Sequence, residues 1–212
     1  MRIYFYKLTA DNGGAPCVQD GFLSLAICKP MIRSTGEPGD LIFGFAANSL
    51  HRDNRLIYIA RIRKKVHNGD YYREKRFASR SDRIYEWHRS RFSWRHGALH
   101  HGPKHLVHDL GRPPKYKKAS VLLSTDFRYF GASGTAEYKS RFQLVKEAVE
   151  QLGRGHRVTH AERLRIELIA LKQQIWKNSP KRVAGEPTST PRRDVCHRSR
   201  SCGVLAKKEV VG

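Results

Sequence analysis

The chain has 212 residues, a formal net charge of +22 at pH 7 and an isoelectric point near 10.3. A chain of this length can bury an apolar core without a framework of disulfide bonds. It contains no apolar run of the roughly 20 residues that a membrane-spanning helix requires, and no signal-peptide pattern. The excess of positive charge favours a polyanionic partner, with nucleic acid ahead of an anionic membrane surface.

The cysteines indicate the compartment. They form no Cys-x-x-Cys pair and have no zinc-finger spacing, so neither a redox motif nor a structural metal site is predicted. We therefore expect a cytoplasmic protein with reduced thiols and no association with membranes. The four cysteines are Cys17, Cys28, Cys196 and Cys202.

The first 65 residues are predicted to be mostly β. Short runs of aromatic and β-branched residues are separated by turn-forming residues such as Pro38 and Gly39, a pattern typical of consecutive strands. The predicted strands are residues 1–7, 22–27, 41–47 and 56–60. Strands this short and closely spaced favour a small, twisted, partly closed β-barrel over an open sheet.

The segment of residues 61–118 is strongly basic and rich in aromatic residues. It carries 17 Lys and Arg against 5 Asp and Glu, with eight aromatic residues among them. Cations bind phosphates and flat rings stack on unpaired bases, so this composition suits a nucleic-acid-binding surface. The alternative is a long solvated loop whose aromatic side chains fold back onto the sheet.

The remainder of the chain predicts two more strands, then helices. Residues 120–124 and 126–131 are predicted strands, and beyond them the apolar spacing changes to that of amphipathic helices. The two helical stripes are Phe142, Val145, Val149 and Leu152, and then Leu164, Leu168, Leu171 and Ile175. We therefore predict an α+β domain over residues 1–177, with the C-terminal helices packed over the barrel. Residues 178–212, rich in Pro, Ser, Thr and Arg, are predicted to form a disordered basic tail.

An ordered set of short motifs resembles a known family. The chain is similar to the second of the nucleotide modification associated domain families, found in bacteria and their phages, over roughly residues 1–160. The motifs are CKPMIR (28–33), PGD before LIFGF (38–45), LIYIARI (56–62), SDRIYEW (81–87), HDLG (108–111), VLLSTDFRYFG (121–131) and RGHR (154–157). The chain departs from the family pattern at Ser81-Asp82-Arg83, where Gly-Asp-Asn is usual. The resemblance implies an association with modified bases and, more distantly, a PUA-like barrel of the EVE or ASCH type.

Three residues are candidate acid–base catalysts: Asp40, Asp82 and His101. A carboxylate beside a turn can act as a general base or read an amino group of a base. Equally, Asp40 could cap its own turn. Cys28 could be a nucleophile whose pKa is lowered by Lys29, or a small apolar residue of the core.

The predicted nucleic-acid-binding residues combine the family motifs with the aromatic cluster of the basic segment. Aromatic rings with polar tips in a basic surround are suited to stacking on a flipped base. The set is Cys28, Lys29, Arg33, Asp82, Tyr85, Trp87, His88, Trp94, His108, Tyr129, Arg154 and His156. The clustered histidines between residues 96 and 108 lack acidic or cysteine partners at ligand spacing, so neither a metal nor a cofactor is predicted.

Three hypotheses follow for the function. The first is a module that recognises a modified base in nucleic acid, DNA rather than RNA, without turnover. The second is an enzyme that transfers or removes a group at a base, which requires Asp40, Asp82 and the histidines to converge beside Trp87. The third is a basic DNA-binding protein without a base pocket. The oligomeric state is left open.

Overall fold

The computed structural model describes residues 1–153 and 155–188, which form a mixed α+β fold with several sheets. The strands are β1 (Ile3–Leu8), β2 (Cys17–Gln19), β3 (Phe22–Leu25), β4 (Leu41–Ala46), β5 (Leu56–Arg61), β6 (Lys64–Val66), β7 (Tyr85–His88), β8 (Arg91–Trp94), β9 (Val121–Ser124), β10 (Asp126–Tyr129) and β11 (His156–Arg157). The helices are α1 (Pro30–Thr35), α2 (Asp70–Arg73), α3 (Leu106–Leu110), α4 (Gln143–Gln151) and α5 (Glu162–Asn178).

The largest sheet has five strands in the order β10-β5-β4-β1-β11. The consecutive strands predicted at residues 41–47 and 56–60 are present as β4 and β5, which pair antiparallel, while β1 and β4 are parallel neighbours. All six residues of β4 are buried. Because this strand is covered on both faces, its sequence is a continuous apolar run without polar alternation.

Helices α4 and α5 cover one face of this sheet. The apolar stripes predicted from the sequence are buried there, against Phe5, Phe43 and Ile59 of the sheet. The apolar face of each amphipathic helix is thus buried against the sheet.

The opposite face of the five-stranded sheet packs against a second sheet of order β2-β3-β9-β6. Four tyrosines, Tyr4, Tyr6, Tyr58 and Tyr129, lie in this core and are at most 2% exposed. Buried tyrosine hydroxyls need hydrogen-bond partners, so this core is partly polar.

The basic segment of residues 61–118 is folded around its own aromatic core. It contains β6, α2, the hairpin of β7 and β8, and α3. Tyr71, Tyr72, Tyr85 and Phe92 are buried together in it. The structure therefore supports the alternative in which most of these aromatic rings fold inward, and the segment is more regular than a long loop.

The partly closed barrel and the disordered tail stay predictions. In the described residues the sheets do not close into a barrel, so the partly closed PUA-like barrel stays a prediction. Residues 178–188, where the predicted tail begins, run back along the sheet: Val183 bridges Tyr129, and the Thr188 amide donates to the Asp11 carbonyl. Residues 189–212 and the predicted site residue Arg154 lie outside the described residues.

Close packing at Gly44 yields a stability prediction. A Cβ atom added at Gly44 would lie 2.5 Å from Cδ1 of Tyr58. Gly44→Ala should therefore lower the free energy of unfolding by about 1–3 kcal/mol, the usual cost of overpacking. Gly153→Ala is the matched control, since its Cβ would meet no atom of the described residues within 4 Å. Urea denaturation measures both, and an equal effect of the two substitutions would contradict the packing at Tyr58.

Candidate active site

The thiol of Cys28 lies in a strained turn between the second sheet and helix α1. After β3, Ala26 and Ile27 are buried, and the chain then turns through Cys28 and Lys29 with φ angles of 56° and 41°. Non-glycine residues rarely adopt positive φ, at a cost of about 1–3 kcal/mol each, and such strain is concentrated at functional sites. Pro30 suits the first position of the helix that follows. Cys28 is half-buried, so its thiol is not part of a closed core.

His101 joins the Cys28 thiol to a buried carboxylate. Its Nε2 atom lies 3.2 Å from Sγ of Cys28, and its Nδ1 atom lies 2.6 Å from Oδ2 of Asp109. The three side chains thus form a Cys–His–Asp line in which one imidazole nitrogen faces the thiol and the other faces the carboxylate. In this arrangement the imidazole can accept the thiol proton while the carboxylate fixes the ring orientation.

Asp109, in helix α3, is fully buried and surrounded by donors. Its Oδ2 atom also accepts a hydrogen bond from the Tyr85 hydroxyl at 2.7 Å, and Oδ1 accepts one from the Cys28 amide at 3.1 Å. Burial alone would raise the pKa of Asp109. Hydrogen bonds from His101 and His108, and the charge of Arg33, hold that pKa well below its usual range. The carboxylate therefore stays ionised.

The Arg33 guanidinium fixes the segments around Asp109. It is fully buried and donates to the backbone carbonyls of Cys28 and Asp109 at 2.7 Å, and to those of Lys118 and Ser120 at 2.8 Å. A guanidinium can satisfy several carbonyls at once because its donors form a rigid fork. Arg33 was predicted to contact nucleic acid. In the structure its side chain is buried and holds the Cys28 turn against α3.

The structure brings together several residues predicted separately. Cys28, Arg33, Tyr85, His101 and His108 all lie within hydrogen-bond or ion-pair distance of Asp109 or of each other. Lys29 follows Cys28, and its ammonium group lies 4.6 Å from the centre of the Tyr6 ring. His101, a candidate catalyst, is the member that contacts the thiol.

Asp109 itself was missed by sequence reasoning. It falls within the HDLG motif, but only the preceding histidine was selected as a site residue. One signal could have identified it: Asp109 is the only acidic residue between Glu86 and Asp126. In a strongly basic segment, a lone carboxylate beside histidines points to a specific pairing.

Asp40 and Asp82 have partners elsewhere. Asp40 caps its own turn, accepting hydrogen bonds from the amides of Arg2 at 2.7 Å and Glu37 at 3.1 Å. Asp82 is fully buried, where it accepts hydrogen bonds from Tyr71 and Ser24 and pairs with Arg80. Within the described chain neither carboxylate is hydrogen-bonded to Cys28, His101 or Asp109. The predicted convergence of Asp40 and Asp82 with the histidines is therefore not seen, and an enzyme that uses either carboxylate beside the histidines is not supported.

The predicted stacking cluster is divided between the interior and the surface. Tyr85 points inward to Asp109, and Trp94 is half-buried. Trp87 and His88 are exposed on the hairpin of β7 and β8, and the Arg73 guanidinium lies 4.0 Å from the centre of the Trp87 ring. Within this predicted cluster, the aromatic surface open to a ligand is therefore on the hairpin.

The last two predicted binding residues lie on the five-stranded sheet. The Tyr129 hydroxyl donates to Oδ2 of Asp11 at 2.7 Å. His156 is half-buried in β11, with its ring 6.0 Å from that of Tyr4, and burial lowers its pKa. Neither is among the residues bonded to Asp109 in the described chain.

The described residues contain neither a metal-binding cluster nor a membrane-spanning helix. No group of three or more His, Cys, Asp and Glu side chains there is arranged to hold a metal ion. No helix in that part of the chain is long and apolar enough to cross a bilayer.

Comparison with known proteins gives one match. The family model for nucleotide modification associated domain 2 matches residues 1–192. No curated protein and no solved structure matches the chain significantly.

The burial of Asp109 predicts how stability depends on pH. Asp109→Asn leaves Arg33 without its carboxylate, so it should lower the free energy of unfolding at neutral pH by about 3–5 kcal/mol. Because the folded pKa lies below the unfolded value of about 3.9, this contribution is complete above that value and is lost as the pH falls below it. The difference in the free energy of unfolding between wild type and Asp109→Asn should therefore become smaller in acid.

Urea denaturation across a pH series provides the measurement. Asp53→Asn is the control, because Asp53 pairs with Arg55 at the surface, where both side chains are 41% exposed. That substitution should change little at any pH. A gap for Asp109→Asn that stays constant into strong acid would contradict the buried, ionised carboxylate.

Proposed function

Because the chain belongs to the nucleotide modification associated domain 2 family, we propose that it is an enzyme of nucleotide modification whose nucleophile is the thiol of Cys28. The observation that carries this proposal is that the side chains of Cys28, His101 and Asp109 lie in a line. Sγ of Cys28 is 3.2 Å from Nε2 of His101, and Nδ1 of His101 is 2.6 Å from Oδ2 of Asp109. A binding module has no need for a thiol, a base and an orienting carboxylate in line, whereas nucleophilic catalysis requires them.

The reaction that suits this arrangement is acyl transfer. His101 takes the proton of the Cys28 thiol, and the thiolate attacks the carbonyl carbon of an acyl group carried by a nucleotide base. A C–S bond forms, the C–N or C–O bond to the leaving group breaks, and the leaving group takes the proton from His101. Water or an acceptor amine then attacks the thioester and releases the thiol. Hydrolysis and transfer of the acyl group share this intermediate.

Asp109 stabilises the imidazolium that forms and does not itself change protonation. Its low pKa and complete burial support this role. Tyr85, Arg33 and the Cys28 amide act as positioning groups, because they hydrogen-bond to or pair with the Asp109 carboxylate. The Cys28 amide donates to Asp109 and is therefore not available to donate to the substrate. Lys29 is the neighbouring cation that can stabilise negative charge on the substrate.

The proposed substrate is carried by nucleic acid, DNA rather than RNA. The net charge of +22 supports a polyanionic partner. The hairpin of β7 and β8 supports a point of contact, since Trp87 is 38% exposed beside the exposed cations Arg89 and Arg91. Stacking on a ring next to cations is a common way to hold unpaired bases.

A module that recognises a modified base without turnover is the second candidate. The exposed ring of Trp87 favours it, as does the PUA-like fold predicted from the sequence, because such a surface can bind bases without chemistry. The two candidates differ in what they require of Cys28. Recognition alone gives the thiol no special reactivity.

The proposal predicts that Cys28 is the reactive cysteine. Alkylation by iodoacetamide at neutral pH, resolved by peptide mass spectrometry, should modify Cys28 rapidly. Cys17 is an internal reference, because burial raises the pKa of its thiol to about 11. His101→Gln should slow alkylation of Cys28 about tenfold or more, since the thiolate loses its partner.

His88→Gln is the matched control, because it makes the same substitution, histidine to glutamine, at an exposed position of the hairpin. It should leave the rate at Cys28 unchanged. If Cys28 reacts no faster than Cys17, or if both histidine variants behave alike, the enzyme proposal is wrong and recognition without turnover stands.

A further inference from the structure

A buried carboxylate near the Cys28 site has an oxygen without a partner. Asp11, in the loop after β1, is 1% exposed. Its Oδ2 atom accepts a hydrogen bond from Tyr129, but Oδ1 has no hydrogen-bond partner among the described residues. Burial raises the pKa of Asp11 to about 6, although the hydrogen bond from Tyr129 opposes the shift, as does the nearby backbone amide of Gly13, which lies outside hydrogen-bond geometry. An unmet acceptor at such depth is costly and calls for an explanation.

A pair of tyrosine hydroxyls in the same core has a hydrogen to donate. The Tyr6 and Tyr58 hydroxyl oxygens are 2.8 Å apart, and either can be the donor. That bond uses one of the two hydroxyl hydrogens. In the described chain, neither hydroxyl has a hydrogen-bond partner besides the other tyrosine. The second hydrogen is therefore available to an acceptor. Both rings are fully buried, so bulk water is not that acceptor.

These groups lie close to the proposed nucleophile. The Lys29 ammonium group, next to Cys28 in the chain, lies 4.6 Å from the centre of the Tyr6 ring. Tyr58 is paired with Tyr129 across β5 and β10, and the Tyr129 hydroxyl donates to Asp11. Burial raises the pKa of Tyr6, and the charges of Cys28 and Asp11 raise it further. The loop that carries Asp11 also borders the histidines, because a Cβ at Gly14 would lie 2.9 Å from the ring of His100, next to His101.

We propose that Asp11 and the Tyr6–Tyr58 pair bind the hydrogen-bonding edge of the nucleobase on which Cys28 acts. Oδ1 of Asp11 accepts a hydrogen bond from an N–H group of the base, and the tyrosine pair donates one to the neighbouring ring nitrogen or carbonyl oxygen. Each nucleobase edge offers such a donor beside an acceptor, and enzymes that act on single bases read that edge. This inference rests on the proposed function, since it assigns the substrate of the same site.

The arrangement implies specificity determined by unpaired groups. A base without the N–H group leaves the Asp11 carboxylate buried and unsatisfied, which is a strong ground for rejection. Lys29 and the Cys28 thiol are only half-buried, whereas Asp11 is almost completely buried.

The test measures protection of Cys28 from iodoacetamide by the four deoxynucleosides at millimolar concentration, in the full chain. Protection is the ratio of the alkylation rates without and with nucleoside, taken for each variant separately. At least one nucleoside should protect wild type, and its counterpart in which every hydrogen of that base N–H group is replaced by methyl should not. Asp11→Asn should lower the protection about tenfold or more, since it removes a hydrogen bond to a charged acceptor. Tyr58→Phe should lower it less.

Matched substitutions elsewhere serve as controls. Asp126→Asn removes a carboxylate that pairs with Arg61 and Arg63, and Tyr138→Phe removes a buried hydroxyl that donates to the Asn54 carbonyl. Both should keep the wild-type protection. The inference is overturned if no nucleoside protects, if the methylated bases protect equally, or if Asp11→Asn and Asp126→Asn behave alike.

Failure of this inference can be distinguished from failure of the proposed function. The same nucleosides are added to Cys28→Ser, and binding is read as a rise in Tm. A base-dependent rise that Asp11→Asn removes supports the base site even if Cys28 proves unreactive. A reactive Cys28 without any base-dependent rise or protection leaves the nucleophile in place and overturns the base site.

Discussion

The buried carboxylate of Asp109 is the constraint on which the site depends. Three parts of the chain donate to it: the Cys28 amide, the Tyr85 hydroxyl and the His101 ring. A carboxylate removed from water is stable only when its oxygens are paired, so these parts must stay in place around it. Arg33 adds a buried positive charge and binds the carbonyls on either side. The contacts that pair the buried Asp109 carboxylate therefore also bring the Cys28 thiol and the His101 imidazole together.

The surrounding fold supplies the rigidity that this arrangement needs. Cys28, Lys29 and His101 all adopt positive φ angles, which persist only when packing over-determines the backbone. The core between the two larger sheets holds the turn on one side, and the aromatic core of the basic segment holds it on the other. Most aromatic rings of that segment turn inward and most of its cations are exposed, where they can meet phosphates.

Periodicity was sufficient to predict much of the fold but little of the site. The strands around Phe43 and Ile59 and the helical stripes ending at Leu152 and Ile175 follow from apolar spacing, which burial dictates directly. Short elements of residues 61–118 were not predicted, because their cores form by contacts distant in sequence. Cys28 was recognised as a nucleophile or core residue, but its pairing with His101, 73 positions later, depends on tertiary structure. Asp109 was missed for the same reason.

The most direct test of the account is a double-mutant cycle on the alkylation rate of Cys28. Rates are measured for His101→Gln, Asp109→Asn and the double variant, each on protein shown to be folded by circular dichroism. If Asp109 acts through His101, the double variant should react no more slowly than His101→Gln alone, because the carboxylate has no effect once the imidazole is gone. Independent effects that multiply in the double variant would contradict a Cys–His–Asp unit.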